Sequence, residues 1–365
     1  MRVLSLFSGI GGMDIGFSED VIVHRDSVPD DWIRDEQGPP GFVRLKRLPF
    51  ETVFQNDILP DAKEFAELNG WAHNYHLKDI RTLLDENFPF PAADVVTGGF
   101  PCQDFSHAGK RKGFDSARGT LYQAFVEVVR RVQPKVFVAE NVNGLLTMPG
   151  EPIRRIVADF AAVGYDVSYQ LIKCEEIGIP QTRWRVLIFG ALSTLRLPDG
   201  WAKLQSSPRL CPVGPYFKHL PEPDTSSDPA QRIYSKAARL AKGQGQSEVR
   251  LVAPGPTMRA EHHGNIEFRR INGGQNEPDL PERRLTVREA ALIQTFPPGC
   301  ILVNPKTPSS KAYRVIGNAV PPLLGYIVAR TVHRGLNPMD IRRFFRRSIG
   351  SSPPSTSASG MTTEK

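Results

Sequence analysis

Residues Gly98–Gly113, GGFPCQDFSHAGKRKG, set a cysteine behind a proline and two glycines and follow it with three cations. The reactive form of Cys102 is the thiolate, which Lys110, Arg111 and Lys112 would favour. The plainer reading of a lone cysteine is a small buried hydrophobe. Four further groups have side chains and places suited to chemistry. Glu140 and Asn141 close the apolar run KVFVAEN; a carboxyl there either hydrogen-bonds or protonates a ring nitrogen in a pocket shared with Cys102, or is a solvated loop acid. Arg183 and Arg185, in QTRWR, alternate along an extended segment and so share a face. They are placed to hold a base carbonyl and a phosphate, or to pair on the surface. FSGIGG, with Gly9, Gly11 and Gly12, lets a backbone approach a ligand at a helix N-terminus, or forms a tight turn with no ligand. Asp57 closes ETVFQND, where a nucleoside-binding sheet puts an acid for ribose hydroxyls and where a helix N-cap also sits.

The elements that must position these groups follow from periodicity. Val3–Phe7, ETVFQND, ADVVTGG, KVFVAEN, YDVSYQLIKC and RWRVLIFGA read as strands. AKEFAELNGW, LYQAFVEVVRRV and IRRIVADFAAVG read as helices, the second with Leu121, Phe125, Val128, Val129 and Val132 on one face. This alternation over residues 1–190 calls for an α/β fold, a doubly wound sheet with its chemistry at strand ends. Residues 19–49 read as an irregular insertion. Residues 191–283 are proline-rich with little periodicity. RRLTVREAALIQTFP and YRVIGNAVPPLLGYIVARTVHRGL return to helical patterns, and the tail 348–365 is expected to be disordered. No internal repeat is present.

Composition narrows the class. The 365 residues are 40% hydrophobic and 23% charged, with a net charge of +7 whose sign suits a polyanionic partner. Four cysteines without a C-x-x-C pair speak against a zinc knuckle or disulfide framework, and fit a reducing cytoplasm. His262-His263 lacks a cysteine partner at ligand spacing, so no metal is expected. No apolar run is expected to reach membrane-spanning length.

FSGIGG, GGFPCQDFS, RGTLY, AENV, QTRWR, RRLTVREAALIQTFP and GNAVPP occur in one order from residue 7 to 322. Together they resemble the DNA (cytosine-5) methyltransferases, in the manner of prokaryotic type II modification methylases. The resemblance implies a Rossmann-like sheet binding S-adenosylmethionine and a smaller, irregular target-recognition domain. The catalytic and cofactor-binding part would be 1–190, the recognition domain 191–300, and 301–347 a segment returning to the first. It implies that Cys102 attacks C6 of a flipped-out cytosine while Glu140 contacts N3 and the exocyclic amine. Arg185 would lie near O2 with Arg183 beside it, and C5 would then take the methyl group. For the cofactor it implies Phe7 against adenine, Gly9, Gly11 and Gly12 near the methionine part, Asp57 on the ribose and Asp79 on the adenine amine. Ile58, Ile80, Pro101 and Leu121 would line the site, and Asn318 and Ala319 would meet the methionine end. Gln103, Ser106, Lys110, Arg111 and Lys112 would sit on a loop closing over DNA. Arg259, His262, His263, Asn265, Arg269 and Arg270 would be groove and phosphate contacts. Two positions depart from the family pattern: Asp57 stands where Glu is usual, and Ile58 where a larger aromatic often covers adenine.

The implied partner is double-stranded DNA, read by a monomer, with a companion restriction endonuclease in view. The alternative is a tRNA cytosine-5 methyltransferase, whose relatives more often read Pro-Pro-Cys-Gln. An inactive DNA-binding protein fits poorly with Cys102, Glu140, Arg183 and Arg185 all present. A nicotinamide dehydrogenase would need a G-x-G-x-x-G turn.

Overall fold

Short β-branched runs alternate with amphipathic ones through the first 192 residues, and each becomes an element of one layered body. A computed structural model describes residues 1–101, 120–204, 209–235, 246–260, 267–271, 283–304 and 308–337. In chain order the first part contains β1 (Arg2–Leu6), α1 (Gly12–Ser18), β2 (Ile22–His24), β3 (Ile33–Glu36), β4 (Phe42–Leu45), β5 (Glu51–Asp57), α2 (Pro60–Leu68), β6 (Tyr75–Leu77) and α3 (Ile80–Asp85). There follow β7 (Val95–Gly98), α4 (Thr120–Val132), β8 (Val136–Val142), α5 (Pro152–Ala162), β9 (Tyr165–Lys173), β10 (Gln181–Thr182) and β11 (Trp184–Leu192). The main sheet has seven strands in the order β6-β5-β1-β7-β8-β11-β9. The five on the β6 side are parallel, and β11 runs antiparallel to both β8 and β9.

Alternation along the strands feeds two cores, as a doubly wound sheet requires. Leu4, Leu6, Phe54, Val96, Phe137 and Ile188 face α3, α4 and α5. Phe125, on the apolar face of α4, meets Phe137 and Phe160 edge-on. Val3, Val95, Val138, Leu187 and Phe189 face α1, α2 and the C-terminal helices. The expected α/β fold is borne out, with a mixed rather than wholly parallel sheet.

Residues 19–49 form a second sheet, antiparallel, in the order β2-β4-β3. Val23, Phe42, Val43 and Leu45 bury in the second core with Trp32. Beyond β11 come α6 (Gly214–Phe217), α7 (Pro229–Arg232), β12 (Gln246–Arg250), β13 (Gly255–Pro256), β14 (Glu267–Ile271), α8 (Val287–Ile293), α9 (Ser309–Asn318) and α10 (Pro322–Leu336). The three last helices bring their apolar residues into the same core as Val3. Ser27 Oγ and Tyr216 Oη lie 2.6 Å apart, Tyr326 Oη donates to Lys46 O at 2.7 Å, and the Arg330 guanidinium sits 4.4 Å over the Trp32 ring. The insertion thus joins the first crossover to residues near 216 and 330.

One expectation needs correction. Ser310–Leu336 is long and apolar enough to cross a membrane by length and composition, with mean hydropathy 1.3. It is broken at Ala319–Pro321, where prolines remove backbone donors, and 89% of its most apolar window is buried inside the protein. Its hydropathy pays for a core position. The tail 348–365 lies outside the described residues.

Candidate active site

The glycine turn after β1 is curled by positive φ at Phe7, Gly9 and Gly11 (52°, 55° and 92°). A Cβ on Gly9 would meet nothing within 4 Å, so the turn leaves open space beside its backbone. Gly11 caps α1, and Gly12 opens it against the Val320 carbonyl, which a Cβ would approach to 2.1 Å. Asp57, at the end of β5, fixes the turn from the side. Its carboxylate accepts from the N–H groups of Gly9 at 2.8 Å, Ile58 at 2.7 Å and Leu59 at 2.9 Å. Burial raises its pKa against those three bonds. Asp79 caps α3 through Arg81 N–H and pairs with the Arg81 guanidinium, which holds its carboxyl below the usual range.

Glu140 and Arg185 come from neighbouring strands. The β8–β11 register sets Arg185 opposite Val142, so Glu140 is its diagonal neighbour. Arg185 Nε and Glu140 Oε1 are 2.7 Å apart, each side chain 12% exposed. A Cβ on Gly99 would stand 3.1 Å from Glu140 Oε2, so the glycine leaves the carboxylate its place. Asn141 is buried and donates to Phe100 O at 3.0 Å, tying the end of β8 to the segment after β7.

Arg183 behaves differently from its expected partner. It is buried, and its guanidinium donates to Met258 O at 3.0 Å, Gly317 O at 3.2 Å and Ala319 O at 3.1 Å. Burial and the nearby Arg185 charge pull its pKa down to about 9. Gly317 is four residues before Pro321, which has no N–H to give it. Arg183 therefore caps the C-terminus of α9, where a cation suits the helix dipole. It joins two motifs of the sequence, QTRWR and GNAVPP.

These parts surround a cavity of about 1140 Å³ at the carboxyl ends of the parallel strands. Phe7, Gly9, Asp57, Ile58, Asp79, Ile80, Pro101, Leu121, Glu140, Arg183, Arg185, Arg259, Asn318 and Ala319 all line it. Gly11 and Gly12 are set behind its wall, in the cap and first turn of α1. Cys102, Gln103, Ser106, Lys110, Arg111, Lys112, His262, His263 and Asn265 lie outside the described residues. Arg269 and Arg270 fall on β14, paired in parallel with β12. The other three cysteines are buried, and burial lifts the Cys174 thiol to about 12 and Cys211 to about 11, with Cys300 also raised.

Sequence reasoning missed several contributors. Gln181 accepts from Met258 N at 3.0 Å and donates to Gln294 at 2.5 Å, while Gln294 reaches Ala319 O at 2.6 Å. Thr257 and Met258 bring an aperiodic stretch into the cavity wall. Tyr75 donates to Gly9 O at 2.8 Å. Gln181 lies inside a motif already noted; Tyr75 and Met258 carry no local signal.

The fold and this cavity define an α/β methylase, and residues 1–334 match the family model of the C-5 cytosine-specific DNA methylases. The chain belongs to that family. It is 35% identical to the type II methyltransferase M.BspRI of Lysinibacillus sphaericus, covering 91% of this chain and 81% of that protein. It is 33% identical to M.BsuRI of Bacillus subtilis, covering 91% and 79%. The solved structure of S. pombe Dnmt2 methyltransferase shares the fold at TM-score 0.65 and 19% identity, covering 93% of this chain and 99% of that one.

Proposed function

We propose that this protein transfers a methyl group to C5 of a cytosine in a specific double-stranded DNA sequence through a covalent adduct on Cys102. The observation that carries the reading is the Glu140–Arg185 pair at a strand end, facing the same cavity as the Phe7–Gly12 turn.

S-adenosylmethionine, when bound, supplies an electrophilic methyl group. The residues present fit it: the open space beside Gly9 admits close approach, and Phe7, Ile80 and Leu121 give apolar wall for an adenine. Asp57 has spent three hydrogen bonds on backbone, leaving about one of its four acceptor positions for a ribose hydroxyl. Asp79 is committed to Arg81, so its part is to cap α3 beside the adenine wall.

A stacked cytosine hides C6, so the base must leave the duplex to reach this depth. Arg185 holds the Glu140 carboxyl where it meets the N3 edge and the exocyclic amine. With that edge polarised, the Cys102 thiolate adds to C6 and the displaced electron pair makes C5 nucleophilic. After methylation, loss of the C5 proton to a base expels the thiolate. Arg183 supports the wall rather than touching the base. Residues 191–283 would carry recognition, with Arg259 exposed at the cavity rim. The relatives' names place them in type II systems, so a companion restriction endonuclease is the partner to seek.

The test offers labelled S-adenosylmethionine with duplex DNA and, separately, tRNA, to wild type and Cys102→Ser. Label on DNA alone, abolished in the variant, is expected, as is trapping on duplex DNA carrying 5-fluorocytosine at the target. Label on tRNA alone, or undiminished label on DNA with Cys102→Ser, would refute the proposal.

A further inference from the structure

Trp184 is the first residue of β11, immediately before Arg185 in sequence, and it stays 42% exposed at the cavity wall. Although partly open to solvent, the ring is held in one orientation by its neighbours. Its indole N–H donates to Glu175 Oε1 at 2.7 Å. The Lys173 ammonium lies over one face of the ring, 5.0 Å from its centroid, and pairs with Glu176 at 3.1 Å. Lys173 is also the strand partner of Trp184 on the edge strand β9. Consecutive strand residues point to opposite sides. Arg185 turns inward to Glu140, so Trp184 belongs to the rim and not to the pocket floor.

Building on the function proposed above, we infer that Trp184 is a stacking platform for the nucleotide next to the extruded cytosine on the same strand. The ring face opposite Lys173 would give sequence-tolerant contact to any base, and Lys173 on the other face offers a cation to the adjoining phosphate. The ring is fixed before DNA arrives, so little side-chain freedom is lost on binding. Extrusion of one base leaves its neighbour with an uncovered face at the mouth of the cavity, where the indole is waiting. Tyr169 and Leu171 extend the apolar surface along β9, away from the mouth. A protein partner would use them, whereas a nucleotide entering the cavity would not.

The experiment compares wild type with Trp184→Ala, Trp184→Phe and Tyr169→Ala on a duplex bearing the site mapped by bisulfite sequencing. It measures kcat and both KM values. Trp184→Ala should raise KM for DNA at least about fivefold, the low end of base–aromatic stacking losses of roughly five- to 150-fold. KM for S-adenosylmethionine should stay within twofold, Trp184→Phe should recover most of the loss, and Tyr169→Ala should match wild type. On a duplex made abasic at the flanking position, wild type and Trp184→Ala should converge. Equal effects on both KM values, no convergence on the abasic duplex, or an equal loss with Tyr169→Ala would overturn the platform. If wild type itself leaves DNA unmethylated, it is the function proposed above that fails.

Discussion

Replacing Arg183 with methionine distinguishes a scaffold guanidinium from a catalytic one. The side chain serves three carbonyls from two separate segments, and its loss strands those of Met258 and Gly317, while Ala319 O keeps its bond from Gln294. Hydrogen bonds to a charged donor are worth about 1.5–3 kcal/mol each. Relief of the buried charge, whose pKa is already pulled to about 9, works in the opposite direction. The net loss should therefore be about 2–4 kcal/mol, a large part of the roughly 5–15 kcal/mol that holds a protein folded. Urea unfolding followed by tryptophan fluorescence should show this loss, with Arg183→Lys recovering part of it because an ammonium still suits the end of α9. Because Met258, Gly317 and Ala319 stand in the cavity wall, KM for both substrates should rise together. If Arg183→Met keeps the wild-type urea midpoint and loses only kcat, the cap reasoning is refuted and the guanidinium acts on the reacting base.

Two further perturbations test the packing around the glycine turn. A Cβ on Gly16 would stand 2.1 Å from Tyr326 N and 2.2 Å from Gly325 C, so Gly16→Ala must push α1 off α10. The cost should reach about 3 kcal/mol in urea unfolding, and a midpoint equal to wild type would show that the helices have slack. Asp14 is fully buried beside Gln55, and burial lifts its carboxyl from 3.8 to about 6. The folded state thus holds an extra proton between those values. Stability is penalised above pH 6, and the penalty fades as pH falls through 6 toward 3.8. At about 1.36 kcal/mol per pKa unit the ceiling is about 3 kcal/mol. Asp14→Asn should gain stability over wild type as pH rises from 5 to 8; a difference that does not vary with pH would contradict the shift.

The sheet was legible because its strands are short, apolar and regularly interrupted by amphipathic helices, and the strand ends carried the motifs. Gly9, Glu140 and Arg185 were marked by local residue type, whereas Phe7 and Asn318 came only from the family resemblance; all five line the cavity. Arg183 was legible as a position but not as a cap: its alternation with Arg185 gave no sign that it reaches residues 258 and 317. The order of residues 19–49 was hidden because charged and proline-rich stretches separate its strands, and its buried side depends on distant partners, Trp32 on Tyr326 and Arg330 and Phe42 on Tyr216 and His219. The apolar length of Ser310–Leu336 was underestimated because prolines interrupt it, and its 89% burial shows that this hydropathy serves the core.

The crossing of α1 and α10 also sets an order of events during synthesis. The Phe7–Gly12 turn leaves the ribosome some three hundred residues before α10, and Gly12 and Gly16 find their packing surface only when Val320–Tyr326 emerges. Contacts of such sequence separation form late, after the cost of closing a long loop has been met. The β2-β4-β3 sheet waits on the same helix, through Trp32 and Arg330. A nascent chain can thus assemble α3, α4 and α5 on their side of the sheet while the glycine turn is still unsupported. The cavity's glycine wall is then completed last, so competence to bind ligand reports that α10 has arrived.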